Sequence, residues 1–322
     1  MSSNSLSQHR TTPINPRGHL AHALSRLIRK KLAILCILTI TFLYSVGIFA
    51  EFLSPYGYTE PDYSQIRKPP SLEHPFGTDR QGGRDMLTRI MWGIQNTVII
   101  TVIATASGSL FLGVTLGLTS GYFGGKIDSF ISRVGELSAA FPEALLMIVL
   151  VATIKPRVLV WIRWLEDNTV LEGLTRSGVQ DYIVISLALL PLSWFGMARI
   201  VRGQVLVLKE SQFIDSARAI GASTPRILFR HLFPNSISII IVVVSSGMGS
   251  LVFAEIFLSF LGLGIQPPRP SLGRMLLEGG NIGTLQNEWW MLVFPSIAAW
   301  LLILAWTLLG DALVDVFNPR TR

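Results

Sequence analysis

The stretch that decides the fold of this chain is DSARAIGASTPRILFRHLFP, residues Asp215–Pro234, which lies between two long apolar segments. Its pattern predicts a short helix, a glycine turn and a second short helix. In the first helix Phe213, Ala217 and Ile220 fall on one apolar stripe at helical spacing. A compact polar unit between apolar segments favours a docking element, although a solvated connecting loop with incidental helices would show the same spacing.

The ends of these two helices are marked by residues suited to them. Ser211 can cap the first helix, and Gly221 follows where a left-handed end is needed, which glycine adopts without a Cβ penalty. Thr224 can cap the second helix, with Pro225 at its first position, where a missing N–H costs nothing. Pro234 is expected to end that second helix.

Composition places the chain in a membrane. Of 322 residues 50% are hydrophobic and only 15% are charged, and the mean hydropathy is +0.49, too apolar for an ordinary soluble domain. The net charge of +7 comes from basic residues in loops between apolar runs, which fits membrane topology and gives no indication of a nucleic-acid partner. Cys36 is the single cysteine and lies in an apolar run, so we expect a buried, inert thiol.

Six segments are long enough to cross about 30 Å of hydrocarbon, which predicts an all-α, polytopic membrane protein embedded in a lipid bilayer. We expect the first to be a retained span, because about thirty residues precede it and no small-residue cleavage site follows. The predicted spans are Leu32–Leu53, Thr97–Leu118, Phe130–Ile154, Tyr182–Val201, Ile237–Leu258 and Trp290–Gly310.

Basic residues set the expected orientation, since loops rich in Lys and Arg stay on the cytosolic side. The leading tail has no acidic residue and carries Arg10, Arg17, Arg26, Arg29, Lys30 and Lys31. Six spans then return the C-terminus, with Arg320 and Arg322, to the cytosol. The same topology brings a second basic group into one cytosolic loop: Arg199, Arg202, Lys209, Arg218, Arg226 and Arg230.

Catalytic, metal and nucleotide sites are not indicated. Gly125-Lys126 resembles the end of a phosphate-binding loop, but Ser120 and Ile127 break the required spacing, so we expect no ATP site in this chain. None of the five histidines falls inside a span, which argues against an intramembrane metal enzyme, and we predict no catalytic residue, metal or cofactor. Glu143 could form an ion pair or line a pathway, and Glu255 could reach headgroups or face the protein interior.

Several motifs in family order carry a resemblance. Asp215-Ser216-Ala217, then Gly221 and Pro234, resembles the coupling loop of bacterial ABC importer permeases, with departures at Asp215, Ser216, His231 and Phe233. Further segments resemble the C-type permease subunit of oligopeptide and dipeptide importers: residues 74–79 (HPFGTD), 83–85 (GRD), 121–125 (GYFGG) with Asp128, 140–142 (AFP), 198–199 (AR), 201–204 (VRGQ), 258–264 (LSFLGLG), 266–268 (QPP), 309–313 (LGDAL) and 318–320 (NPR).

That resemblance implies a type I importer fold with a cytosolic coupling helix. It implies a homologous permease as partner, two ATPase subunits that hold ATP and Mg²⁺, and an extracytoplasmic binding protein that delivers peptides. It assigns the ATPase contact to Asp215, Ser216, Ala217, Gly221 and Pro234. The expected divisions are a mobile basic tail (1–31), a first transmembrane helix (32–54), an extracytoplasmic segment (55–95), a core domain (96–311) with its coupling loop (205–235), and a cytosolic tail (312–322).

Other interpretations fit the same sequence. Nickel, glutathione or another peptide-like solute would suit the same architecture. A self-contained carrier would need inverted repeats, and a membrane enzyme would need convergent catalytic groups; neither is evident. Segment 155–181 is longer than the family pattern, and its stripe of Val158, Ile162 and Leu165, flanked by tryptophans, predicts an interfacial amphipathic helix. Contact between this segment and the binding protein or the partner permease is the alternative.

Overall fold

The computed structural model describes residues 25–169, 173–175 and 177–317, and this part of the chain is almost entirely helical. The basic residues expected in the leading tail up to residue 24, and those after residue 317, lie outside the described residues. The helices are α1 (Lys31–Ile48), α2 (Ala50–Leu53), α3 (Met86–Phe123), α4 (Gly125–Ala139), α5 (Glu143–Asn168), α6 (Val179–Leu208), α7 (Gln212–Ala219), α8 (Thr224–Phe260), α9 (Leu272–Gly279), α10 (Ile282–Asn287) and α11 (Trp290–Phe317).

Within the described residues six helices are long and apolar enough to cross a membrane, which agrees with the predicted number of spans. They are α1, α3, α5, α6, α8 and α11, and most extend beyond the predicted bounds. α3 already starts at Met86, inside the segment expected to be extracytoplasmic, because Asp85 caps it by accepting a hydrogen bond from the Thr88 amide at 2.7 Å. α11 continues to Phe317, so the last described residues of the expected C-terminal tail are helical.

The third span differs most from its prediction. Residues 130–139 are not part of it but belong to α4, a separate amphipathic helix, and the chain turns at Ala140-Phe141-Pro142 before α5 begins at Glu143. Proline disfavours a helical conformation in the residue before it, which is why the apolar run from residue 130 is interrupted here. The outward face of α4 is an exposed apolar row: Ile127, Phe130, Val134 and Leu137.

The predicted interfacial helix after residue 154 is also wrong. Residues 155–168 continue α5 without a break, and Pro156 lies within that helix. The stripe itself is placed as expected, since Val158 and Ile162 are buried in the core while Trp161 and Trp164 are exposed. Because a stripe at helical spacing is the same in a separate helix and in an extended span, the sequence could not distinguish the two.

The bundle is held together by close helix packing around α8, which runs along α11, and by α3, which runs along α6. A side chain at Gly117 would lie 2.7 Å from the carbonyl oxygen of Ala198, and one at Gly113 would lie 2.6 Å from Met197. Small residues thus let α3 and α6 approach, as is typical of membrane helices. Gly121, one turn further along, is equally close to Val205 of α6, so all three glycines serve helix packing.

The HPFGTD and GRD motifs form a buried polar network at the end of the bundle opposite α7. The Asp79 carboxylate is fully buried and lies 2.7 Å from both Arg84 and Arg89. Burial would raise the pKa of Asp79, but Arg89, the Gly82 amide and Arg84 outweigh it and hold the pKa below its usual value. The Trp290 indole donates to the Thr78 carbonyl at 3.1 Å and so joins this network to α11.

Glu255 lies inside the bundle, which excludes the headgroup position considered from the sequence. Its side chain is fully buried on α8. One carboxyl oxygen accepts a hydrogen bond from Thr97 on α3 at 2.7 Å, and the other accepts from Ser259 at 2.8 Å. A buried carboxyl group in a span requires such partners, so Glu255 links α8 to α3.

Candidate functional site

The 205–235 loop is built as a short helix fixed to the bundle by one face. Ile214 on α7 is fully buried, and Ala217, one turn later, is 4% exposed. Ile214 belongs to a hydrophobic cluster that also contains Leu118 of α3, Val205 of α6 and Ile227 of α8. α7 is therefore packed closely against three membrane-spanning helices, an arrangement in which side chains do not yield easily.

The outward face of α7 is not the stripe predicted from the sequence. Phe213 is 41% exposed and Ile220 is 85% exposed, whereas Ala217 points toward the bundle with Ile214. Ile220 follows the last helical residue, Ala219, and has left helical geometry, so its spacing of seven residues from Phe213 no longer places it on the same face as Ala217. Asp215 is exposed beside these residues. The exposed surface of α7 thus combines apolar groups with an acidic and a basic residue, Asp215 and Arg218.

Of the residues assigned to the ATPase contact, Asp215, Ser216, Gly221 and Pro234 are exposed. Asp215 lies 3.5 Å from Arg218 in an exposed pair, and the Ser216 hydroxyl donates to the Gln212 carbonyl at 2.9 Å. Ala217 is the exception, because its side chain is buried within this chain and is not available to another subunit. Its small size serves the seating of α7 on the bundle.

Gly221 confirms the predicted left-handed turn, with φ of +76°. Its amide donates to the Arg218 carbonyl at 2.9 Å, and the next amide, of Ala222, donates to the Ala217 carbonyl at 3.0 Å. These two bonds form a Schellman motif, which satisfies carbonyls that the helix end leaves free. A side chain added at Gly221 would meet nothing within 4 Å, so glycine is required here by the backbone and not by space.

The second helix departs from the prediction at both ends. Its capping residue by position is Ser223 rather than Thr224, and its side chain makes no capping bond. Pro234 does not end the helix, because α8 runs unbroken from Thr224 to Phe260. A π-helical stretch at Ile227–Leu232 immediately precedes the proline and widens the turn, which allows the chain to continue past the missing N–H. The 205–235 loop is thus helically continuous with a span.

A polar clasp beside the loop was not predicted as a unit, although both of its charged residues lie in motifs noted in the sequence. Arg202 on α6 donates to the two carboxylate oxygens of Asp128 on α4, each at 2.5 Å. Ser120 at the end of α3 donates to the same carboxylate at 2.5 Å. The bonds from Arg202 above all, together with that from Ser120, outweigh desolvation and hold the pKa of Asp128 below its usual value.

Two further contacts hold α7 and its approach from α6. The Arg218 guanidinium lies 5.7 Å from the ring centre of Tyr122, and the Lys209 ammonium donates to the Gly121 carbonyl at 3.2 Å. Both partners belong to the GYFGG motif, whose signal in the sequence was the motif alone. Among the described residues no group of three or more His, Cys, Asp or Glu side chains is arranged to hold a metal ion.

Comparison with known proteins gives consistent results over most of the chain. Residues 113–322 match the family described as binding-protein-dependent transport system inner membrane component, and residues 20–70 match the N-terminal transmembrane domain of oligopeptide transport permease C. The chain is 35% identical over 300 residues to the dipeptide transport system permease protein DppC of Alkalihalophilus pseudofirmus, covering 93% of this chain and 90% of that protein.

Two other relatives are similar to the same extent. The oligopeptide transport system permease protein OppC of Bacillus subtilis is 33% identical over 300 residues, covering 93% of this chain and 89% of that protein. The glutathione transport system permease protein GsiD of Pectobacterium atrosepticum is 35% identical over 298 residues, covering 92% and 90%. The chain, with its six apolar helices and its braced loop, therefore belongs to the family of binding-protein-dependent transport system inner membrane components, as a multi-pass permease subunit.

Proposed function

We propose that this chain forms, with a homologous permease, the path by which an ATP-driven importer moves di- and oligopeptides across the inner membrane. The observation that carries the proposal is α7, a helix with an exposed outer face whose inner face is anchored by Ile214 among three spans. Such a helix can receive a mechanical input and pass it to the bundle. The names of the similar permeases, for dipeptides and oligopeptides, support the substrate class.

In this proposal the ATPase subunits, which hold ATP and Mg²⁺, bind the exposed surface of α7 around Asp215 and Ile220. This chain is not itself the ATPase. Closure of the ATPases moves α7, and because the clasp of Asp128 and Arg202 ties α4 to α6, neighbouring helices move with it. The result is a rocking motion between inward-facing and outward-facing states of the two permeases.

The proposed orientation puts α7 and both termini in the cytosol. An even number of spans places the start of α1 and the end of α11 on one side, and there the Lys30 ammonium lies 3.0 Å from the Asp315 carboxylate. The basic tail and the basic 199–230 loop then share that side, as expected for cytosolic segments. The polar network around Asp79 would face the extracytoplasmic binding protein.

The second candidate function is import of a different peptide-like solute, such as glutathione, or of nickel, by the same architecture. The similarity to a glutathione permease is as strong as that to the dipeptide permeases and is the observation that favours glutathione. Substrate selection is expected to be located mainly in the binding protein.

The test is uptake by proteoliposomes that contain this chain, its partner permease and the ATPase subunits. Labelled di- to hexapeptides, glutathione and nickel are offered with and without ATP and the binding protein. ATP-dependent uptake of peptides supports the proposal and defines the peptide length. ATP-dependent uptake of glutathione or nickel alone would replace the substrate, and uptake without ATP would contradict the coupling role of α7.

A further inference from the structure

A cavity of about 850 Å³ opens between α5, α6 and α8, within the range of about 300–1,000 Å³ typical of ligand sites. Its wall is mostly aliphatic and aromatic, with hydroxyl groups placed around it. The hydroxyl-bearing residues are Ser109, Ser193, Ser250 and Thr307. Ser250 and Phe253 on α8 are exposed, so the cavity is accessible from the side of that helix.

Two glycines, one on each of two facing helices, keep this space open. Gly196 on α6 and Gly247 on α8 both line the cavity, and a Cβ added at either would meet no atom within 4 Å. Neither has a positive φ, so neither is needed for a turn, and neither allows a close helix contact. Glycine weakens a helix interior relative to alanine. Their effect in this structure is to widen the cavity.

Glu143 is the one ionisable residue among those that line the cavity. It is the first residue of α5 and is exposed. Within the described ranges no Lys, Arg or His side chain lies close enough to form an ion pair with it, so the ion pair considered from the sequence is not formed. The cavity thus carries one negative charge, has no positive charge in its wall, and has a low-polarity lining.

We propose that this cavity receives the peptide during its passage and that Glu143 is the counter-ion for the protonated amino terminus. This inference rests on the proposed function. Every unmodified peptide carries an α-ammonium group and an α-carboxylate, and a site with one anion and no cation favours the ammonium end. The hydroxyls of Ser109, Ser193 and Thr307 already donate to backbone carbonyls of this chain, so they are left to accept hydrogen bonds from peptide N–H groups. The Ser250 hydroxyl can donate or accept. In this proposal the α-carboxylate of the peptide is bound by groups on other subunits.

The first experiment measures ATP-driven uptake of one peptide by the complete transporter in proteoliposomes. Glu143→Gln is expected to lower the uptake rate about tenfold, the loss of roughly one charge-assisted hydrogen bond, while Glu143→Asp keeps most of it. Glu136→Gln is the matched control, since Glu136 is also exposed but lies on α4 outside the cavity, and its uptake should equal that of the unchanged chain. Equal amounts of assembled complex are verified for every variant.

The second experiment identifies the occupant of the cavity. In a Cys36→Ser background, Ser250→Cys in the assembled complex is treated with a small thiol reagent. Peptide with ATP should slow labelling at least about fivefold, and adding Glu143→Gln should remove this protection, as expected when one charged contact is lost. The N-acetylated form of the same peptide, which lacks the ammonium group, should not protect.

Different failures have different meanings. Undiminished uptake by Glu143→Gln, with ATP-dependent peptide uptake by the unchanged chain, would overturn the counter-ion role and leave the proposed function standing. A Ser250→Cys thiol that never reacts in the assembled complex would show that the partner permease fills the cavity, which also overturns the inference. Absence of ATP-dependent peptide uptake by the unchanged chain would overturn the proposed function, and this inference with it.

Discussion

Replacing Gly221 with valine tests whether the turn after α7 transmits force. At φ of +76° the backbone of Gly221 is in the left-handed region, where a non-glycine residue costs about 1–3 kcal/mol. No atom lies within 4 Å of an added Cβ, so the cost comes from the backbone alone, and a β-branched residue belongs to the upper part of this range. A cost of about 2 kcal/mol lowers the equilibrium constant for the native turn about 30-fold.

The assay measures peptide uptake and ATP hydrolysis in the same proteoliposomes. We expect Gly221→Val to insert normally, because the turn lies outside all six spans, and to retain ATP hydrolysis while losing most of its uptake. Gly221→Asn is the matched control, since asparagine tolerates the left-handed region better and should preserve much of the uptake. Normal uptake by a well-expressed Gly221→Val protein would refute the reasoning, as would equal losses in the two variants.

Three further predictions concern the surface, the clasp and the polar network. Ile220→Ser should reduce co-purification of the ATPase subunits at least about fivefold, as for a contact worth about 1 kcal/mol. Ile282→Ser, at the other end of the bundle, is the control and should not reduce it; the two side chains are 85% and 75% exposed. Equal effects of the two substitutions would contradict the surface assignment. Arg202→Lys keeps the positive charge but loses the bidentate hydrogen bond to Asp128. The free energy of unfolding should therefore fall by about 1 kcal/mol, after allowance for the partial exposure of the pair. A Tm equal to that of the unchanged protein would argue against the clasp. Because the pKa of Asp79 is lowered in the fold, its ionised carboxylate stabilises the protein above the unfolded pKa of about 3.9, and this stabilisation is lost as pH falls through the lower folded pKa. Asp79→Asn should therefore lower Tm at pH 7 and remove part of the decrease in Tm below about pH 4. Parallel curves of Tm against pH for both proteins would contradict this.

Local features of the amino-acid sequence were sufficient for the span count, the family and the left-handed turn. Six apolar runs predict six spans because a helix must satisfy its own backbone hydrogen bonds in lipid. Gly221 was identified because helix ends favour glycine at one position, and the structure shows a Schellman motif there. The motifs at 74–85 and 121–128 could be noted as patterns, but their roles as a buried network and a clasp could not.

The tertiary structure decided which face of each helix is buried and where helices join. The 213–217–220 spacing could not reveal that Ile214 and Ala217 face the bundle, because this depends on the cluster formed with α3, α6 and α8. Pro234 normally marks a helix boundary, but a π-helical stretch lets α8 continue past it. The cavity beside Glu143 likewise exists only where α5, α6 and α8 meet, with Ser109 of α3 and Thr307 of α11 completing its wall. Segment composition is local and can be read along the chain, whereas contacts between distant segments depend on packing in three dimensions.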